Sequence, residues 1–244
     1  MGSFPKNSED KLSIHIGAKP NEIAETVLLP GDPLRGKWVA KKFLKKVSRY
    51  SGIRGMFGFT GKTSSGKWVS VQGSGMGMPS LSIYVNELVR YGVKRIIRIG
   101  SAGGLQKDLA LRSIVLVQGS CSDSAMNRRR FDGMSFAPLS SPRLLFQAYE
   151  VAAQLGVKVR VGSNFATDTF YDEDPDPAWK IFARYGVLTI EMESAELFTL
   201  AAKKGIEALS ILTISDNLVT GKGLSPKKRE RSFHPMIEVA LGLV

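Results

Sequence analysis

Short β-branched runs recur along the chain at residues 27–29, 68–71, 95–99, 114–117, 157–161, 187–190 and 209–214. Each is read as a strand, because Val, Ile and Thr fit a pleated and buried surface. Between them, apolar residues fall at helical spacing. Leu34, Trp38 and Phe43 follow Asp32-Pro33, a cap residue and a first-turn proline. Leu81, Tyr84, Leu88 and Tyr91 form a second stripe that stops at Gly92, and Leu145, Ala148, Ala152 and Leu155 a third that stops at Gly156. A fourth helix is predicted over 193–204, ending at Gly205. Lys41, Lys42, Lys45 and Lys46 interleave with Trp38, Val39, Phe43 and Leu44, the pattern of a solvated helix face.

Strands alternating with helices predict an α/β fold around a mostly or partly parallel sheet, with helices on both faces. Such sheets hold their ligands beyond the carboxyl ends of the strands. No repeat or low-complexity linker interrupts the chain, so residues 12–244 are read as one domain behind a polar extension at 1–11.

A length of 244 residues agrees with a single domain. The lone cysteine, Cys121, excludes an internal disulfide and fits a reducing compartment, so a cytoplasmic location is expected. Apolar runs such as 114–117 fall far short of the roughly 18 residues of a membrane span, and the polar N-terminus does not read as a signal peptide. Lys and Arg number 34 against 22 Asp and Glu, a net charge of +12 that raises an anionic partner. Nucleic acid is not the expected one: the basic residues cluster separately at 41–46, 128–130 and 227–231, with no zinc-ligand pattern, heptad or RNA-binding aromatic motif around them.

The candidate chemistry lies at the strand ends. The run Val27-Leu-Leu-Pro-Gly-Asp-Pro-Leu-Arg35 passes from a strand through Gly31 to a helix start, leaving backbone N–H groups and Arg35 to meet an anion. The run Ile96-Ile-Arg-Ile-Gly-Ser-Ala-Gly-Gly104 is expected to do the same with Arg98 and Ser101. Neither is a Walker loop or a dinucleotide fingerprint. Arg98 sits within an apolar strand, where a lone guanidinium is costly, so it needs a carboxylate or a bound anion as partner. Forked donors suit a small dianion such as phosphate. Glu191 and Glu193 end another strand, where they either cap the next helix or hold sugar hydroxyls. Asp216 ends the run 209–214, and as a carboxylate in a partly apolar crevice it is a candidate general acid, with a turn cap as the alternative.

In order and content these segments resemble the low-molecular-mass, bacterial-type purine nucleoside phosphorylases of the nucleoside phosphorylase superfamily. The matching stretches are His15-Ile-Gly-Ala, Leu29-Pro-Gly-Asp-Pro-Leu-Arg35, Arg54-Gly-Met-Phe-Gly-Phe-Thr-Gly61, Gly75-Met-Gly-Met-Pro-Ser80, Arg98-Ile-Gly-Ser-Ala-Gly103, Asp168-Thr-Phe-Tyr171, Glu191-Met-Glu193 and Ser215-Asp216, followed by Arg229. The resemblance implies a three-layer α/β/α single domain with a mixed central sheet, and a homohexamer built as a trimer of dimers. It implies reversible phosphorolysis of purine (deoxy)ribonucleosides in purine salvage, with inorganic phosphate as co-substrate and no cofactor or metal. Gly31, Arg35, Arg98 and Ser101 would bind phosphate, joined by Arg54 from a neighbouring subunit. Met76, Met192 and Glu193 would hold the ribose, with His15 of the neighbour at the 5′-hydroxyl. Phe170, Ile190, Glu191 and Ser215 would surround the purine, and Asp216, assisted by Arg229, would protonate N7.

Two departures from the family pattern stand out. Asn217 replaces a customary His and is expected to shift base preference. Pro235 falls in a segment that relatives run as helix, and is expected to kink or split it. A uridine phosphorylase, a nucleosidase and a nonenzymatic anion-binding module are the competing readings.

Overall fold

The computed structural model describes residues 13–225 and 233–244. Its strands are β1 (Thr26–Leu29), β2 (Lys45–Ser51), β3 (Gly58–Lys62), β4 (Trp68–Gln72), β5 (Arg95–Gly104), β6 (Ile114–Ser122), β7 (Val159–Ala166), β8 (Thr189–Glu191), β9 (Glu207–Asn217) and β10 (Lys222–Gly223). Its helices are α1 (Pro33–Phe43), α2 (Met78–Arg90), α3 (Ala125–Arg130), α4 (Pro142–Gln154), α5 (Trp179–Arg184), α6 (Ser194–Lys204) and α7 (His234–Gly242). All seven apolar runs fall within strands, in whole or in part.

The sheet is mixed, in the order β10-β9-β6-β7-β8-β5-β1-β4-β3-β2, and β9 also pairs with β5. That extra pairing closes β5, β9, β6, β7 and β8 into a ring. β1 and β9 both run parallel to β5, so their carboxyl ends emerge on one side.

Alternation along β5 explains the layers. Ile96 packs with Leu81 and Leu88 of α2 and Leu197 and Phe198 of α6, whereas Ile97 and Ile99 pack with Val39 of α1, Ala148 of α4 and Ile237 of α7. Both faces are covered, which is why the central strands read as continuous apolar runs. Arg98 shares the parity of Ile96 and points toward the α6 layer.

Three expectations change. The first helix ends at Phe43, where the N–H of Leu44 closes the last turn onto Ala40, and Lys45 and Lys46 belong to edge strand β2. Lys41 and Lys42 lie in the last turn of the helix as expected, whereas Lys45 and Lys46 guard an open sheet edge against pairing with another chain. Residues 100–104 continue β5 rather than forming a turn, since β9 pairs with them to the end. Pro235 lies in the first turn of α7, where its missing N–H removes no helical hydrogen bond, so the described part of that helix has no proline kink. In the basic cluster at 128–130, Nη1 and Nη2 of Arg130 each donate at 2.8 Å to the buried carboxylate of Glu196, tying α3 to α6.

Candidate active site

Beyond the carboxyl ends of β1, β5 and β9 lies a pocket of about 410 Å³. It is lined by Gly31, Arg35, Arg98 and Ser101, by Met76, Met192 and Glu193, and by Phe170, Ile190 and Asp216. The structure thus gathers into one cavity most of the residues singled out in the sequence, from six separate segments of chain.

Arg98 has two carboxylate partners. Its Nε donates to Glu191 Oε2 at 2.9 Å, and its Nη2 donates to Glu193 Oε2. The pairing outweighs the desolvation of this buried group and keeps the guanidinium charged, with its pKa raised. Nη1, however, is buried with no hydrogen-bond partner among the described residues, and so is Nε of Arg35. Burial pulls the Arg35 guanidinium down to about 10. Its carbon sits 4.8 Å over the ring of Phe233. Buried unmatched donors are rare, and two of them at one glycine turn mark a place for an acceptor-rich anion.

Glu191 is saturated within the protein. Its oxygens accept from Arg98, from the backbone N–H of Glu193 and Ser194, and from the amide of Asn164 at 2.7 Å. It therefore caps α6 and anchors Arg98 together. Glu193 accepts the N–H of Gly77 at 2.6 Å through Oε1. Burial pushes its carboxyl up to about 7, against the pull of Arg98 and with the help of Glu191.

Asp216, near the end of β9, also lines the pocket, and Ser215 beside it donates its hydroxyl to Asp216 Oδ1 at 2.6 Å. Two glycines of β5 make room for the side chains around the site. A Cβ at Gly100 would lie 3.0 Å from Arg98 Nη2 and 2.9 Å from Leu212 Cδ2. One at Gly103 would lie 2.5 Å from Leu218 Cδ1 and 2.9 Å from Ile190 Cγ2, filling the Asp216 end. Phe170 is 69% exposed, and Met76 80%.

Other expected residues lie elsewhere. His15 is half-buried, with Nδ1 2.7 Å from Glu87 Oε1, and Arg54 is exposed on a 3-10 turn at φ 55°. Neither lines the pocket. Arg229 lies outside the described residues. Asn217 is buried and structural: its amide donates to the carbonyls of Gln106 and Leu109, and its oxygen accepts the N–H groups of Val219 and Thr220. It does not line the pocket, so the expected influence on a bound base has no direct route. Thr167, Thr169 and Leu218 do line it, without having been marked as site residues. Among the described residues no cluster of His, Cys, Asp and Glu could hold a metal ion, and no helix is long and apolar enough to cross a membrane.

Unmatched guanidinium donors beside a glycine turn, with the Asp216 carboxylate in the same cavity, define a strand-end anion pocket in a three-layer α/β protein. The chain belongs to the phosphorylase superfamily, a family of enzymes, whose sequence model matches residues 25–234. A "Purine nucleoside phosphorylase DeoD-type" of Thermoanaerobacter sp. is 56% identical over 231 residues, covering 94% of this chain and 98% of the relative. One from Caldanaerobacter subterraneus subsp. tengcongensis is 54% identical over 94% of this chain and 99% of its own length. One from Bacillus cereus is 52% identical over 94% and 97%.

Proposed function

We propose that the protein catalyses the reversible phosphorolysis of purine (deoxy)ribonucleosides, releasing free purine and (deoxy)ribose 1-phosphate, and serves purine salvage in the cytoplasm. The observation that carries this reading is the pair of buried, unmatched donors on Arg35 and Arg98 in the same pocket as Asp216. The names of the relatives support it.

As the glycosidic bond breaks, its electron pair leaves with the purine and C1′ becomes cationic. A phosphate oxygen held by Arg35, Arg98, Ser101 and Gly31 forms the new bond to C1′. Asp216 gives its proton to N7, so the base departs neutral. Glu193 and Met192 face the ribose, with Met76, and Phe170 and Ile190 flank the base. Glu191 acts through Arg98 rather than on the purine, because its oxygens are already engaged. Arg229 assists the proton transfer, its cation stabilising the carboxylate left on Asp216 once the proton has gone.

Purified protein should release hypoxanthine from inosine, or adenine from adenosine, only when inorganic phosphate is supplied. Release without phosphate would make it a nucleosidase, and release from uridine alone a uridine phosphorylase.

We further propose a homohexamer in which each dimer exchanges His15 and Arg54. Both residues sit outside the pocket of their own chain, and Arg54 projects into solvent. An exchanged residue can be supplied by a different variant. Arg54→Ala and Asp216→Asn chains, each impaired alone, should recover part of the wild-type rate when co-assembled, because mixed dimers hold one intact site. Additive rates after subunit mixing would rule the exchange out.

A further inference from the structure

We infer that Asn164 is a positioning residue for the anion site: through Glu191 it sets the direction of Arg98, and so the tightness with which phosphate is held. The inference rests on the reading that this pocket takes phosphate.

Asn164 is fully buried on β7, between Ser120 of β6 and Thr189 of β8 in register. Each of its polar atoms has a partner. The amide nitrogen donates to Ser120 Oγ at 3.0 Å and to Glu191 Oε1 at 2.7 Å, and the amide oxygen accepts the hydroxyl of Thr189 at 2.9 Å. The amide cannot turn over without setting its oxygen against the Glu191 carboxylate, so the orientation is fixed.

The other carboxylate oxygen receives Arg98 Nε. The backbone N–H of Ser194 reaches both oxygens, at 3.0 and 3.2 Å, and that of Glu193 donates to Oε2 at 3.0 Å. Asn164 completes the setting of the carboxylate by holding Oε1 from the other side, at 2.7 Å. Oε2 takes Nε, and the planar guanidinium that Nε and Nη2 anchor sets Nη1 beside Gly31 of the pocket lining, 3.8 Å from where a Cβ there would lie. A donor two bonds removed from the ligand thus fixes the angle of a donor that touches it, in the manner of residues behind a metal ligand.

The test is steady-state kinetics of inosine phosphorolysis with phosphate and inosine varied in turn, together with the thermal shift that phosphate alone produces. Asn164→Ala should raise the phosphate KM by about 10- to 100-fold and shrink the phosphate-induced shift, with the inosine KM near the wild-type value. Thr189→Val, which keeps the shape and removes the hydroxyl, should move phosphate KM the same way by less, and it serves if Asn164→Ala fails to fold.

Asn164→Asp adds a diagnostic that mere loss of packing would not give. The introduced carboxyl would face Glu191, with Arg98 and Glu193 the other charged groups beside it. When both carboxylates are ionised they repel, and when they share a proton the O–H restores the missing donor. Its phosphate KM, divided by that of the wild type at the same pH, should therefore fall as pH is lowered.

Phosphate and inosine KM values that rise together, or a ratio for Asn164→Asp that is flat with pH, would overturn the inference. Base release by the wild type without phosphate would overturn the phosphorylase reading, and the inference with it, a result visible before any variant is made.

Discussion

Asp216→Asn is expected to lower kcat for inosine or adenosine by about 10²–10⁴-fold, roughly 3–5 kcal/mol of barrier, while phosphate KM stays near the wild-type value. The amide keeps the size of the carboxyl and can still meet N7, but it has no proton to give. The purine must then leave as an anion. Phosphate binding is spared because Arg98 is fixed by Glu191 and Glu193, which the substitution leaves in place. The loss should fall on kcat and kcat/KM alike, the mark of an interaction made in the transition state. A substrate whose leaving group needs no protonation, such as a nucleoside already methylated at N7, should recover most of the lost rate. An enzyme that keeps its turnover with inosine after the substitution would remove Asp216 from the chemistry.

Much of this pocket could be read before the fold was known, and the reasons are physical. Arg98 betrayed itself as a charge inside an apolar strand, and Gly31 and Arg35 as a strand, a turn and a helix start in sequence. Asp32 caps α1 by accepting the N–H of Leu34 at 2.8 Å, as the Asp-Pro pair predicted. Strands β2 and β3 were not legible, because KKVSRYS has its charges on an exposed edge and GFTGK lacks an alternating pattern. Spacing alone could not separate that edge from one more turn of helix.

Asn164 was hidden for a different reason. An asparagine within a β-rich run gives no periodic signal, and its importance comes from Ser120 of β6 and from Thr189 and Glu191 of β8, which the sheet brings beside it from two other segments. Glu191 was legible as a site residue while its alternatives stayed open, since a cap and a ligand contact look the same in sequence. Only the count of donors around its oxygens separates them.

Arg98→Met is expected to damage stability and phosphate binding together. It leaves Glu191 and Glu193 buried without the cation that compensates them, and breaking a buried ion pair from one side costs about 3–5 kcal/mol. The loss should depend on pH in a definite direction. In the wild type burial already pushes Glu193 up to about 7 from an ordinary 4.5, so between those values the folded state binds a proton that the unfolded state has released. Stability from that group is complete below 4.5 and falls as pH rises through about 7. Removing Arg98 takes away the one strong force pulling this carboxyl down, so the proton is held to higher pH and the fall becomes larger. Urea unfolding at about pH 5.5 and about pH 8 should show a greater deficit, relative to wild type, at the higher pH. Arg98→Lys separates the two effects: an ammonium restores part of the charge balance, but it cannot span both carboxylates and still present a donor to the pocket. It should regain stability without regaining phosphate affinity. An equal stability deficit at both pH values, or full phosphate affinity in the lysine variant, would show that Arg98 is neither the counter-ion of this carboxylate pair nor the fork that holds the anion.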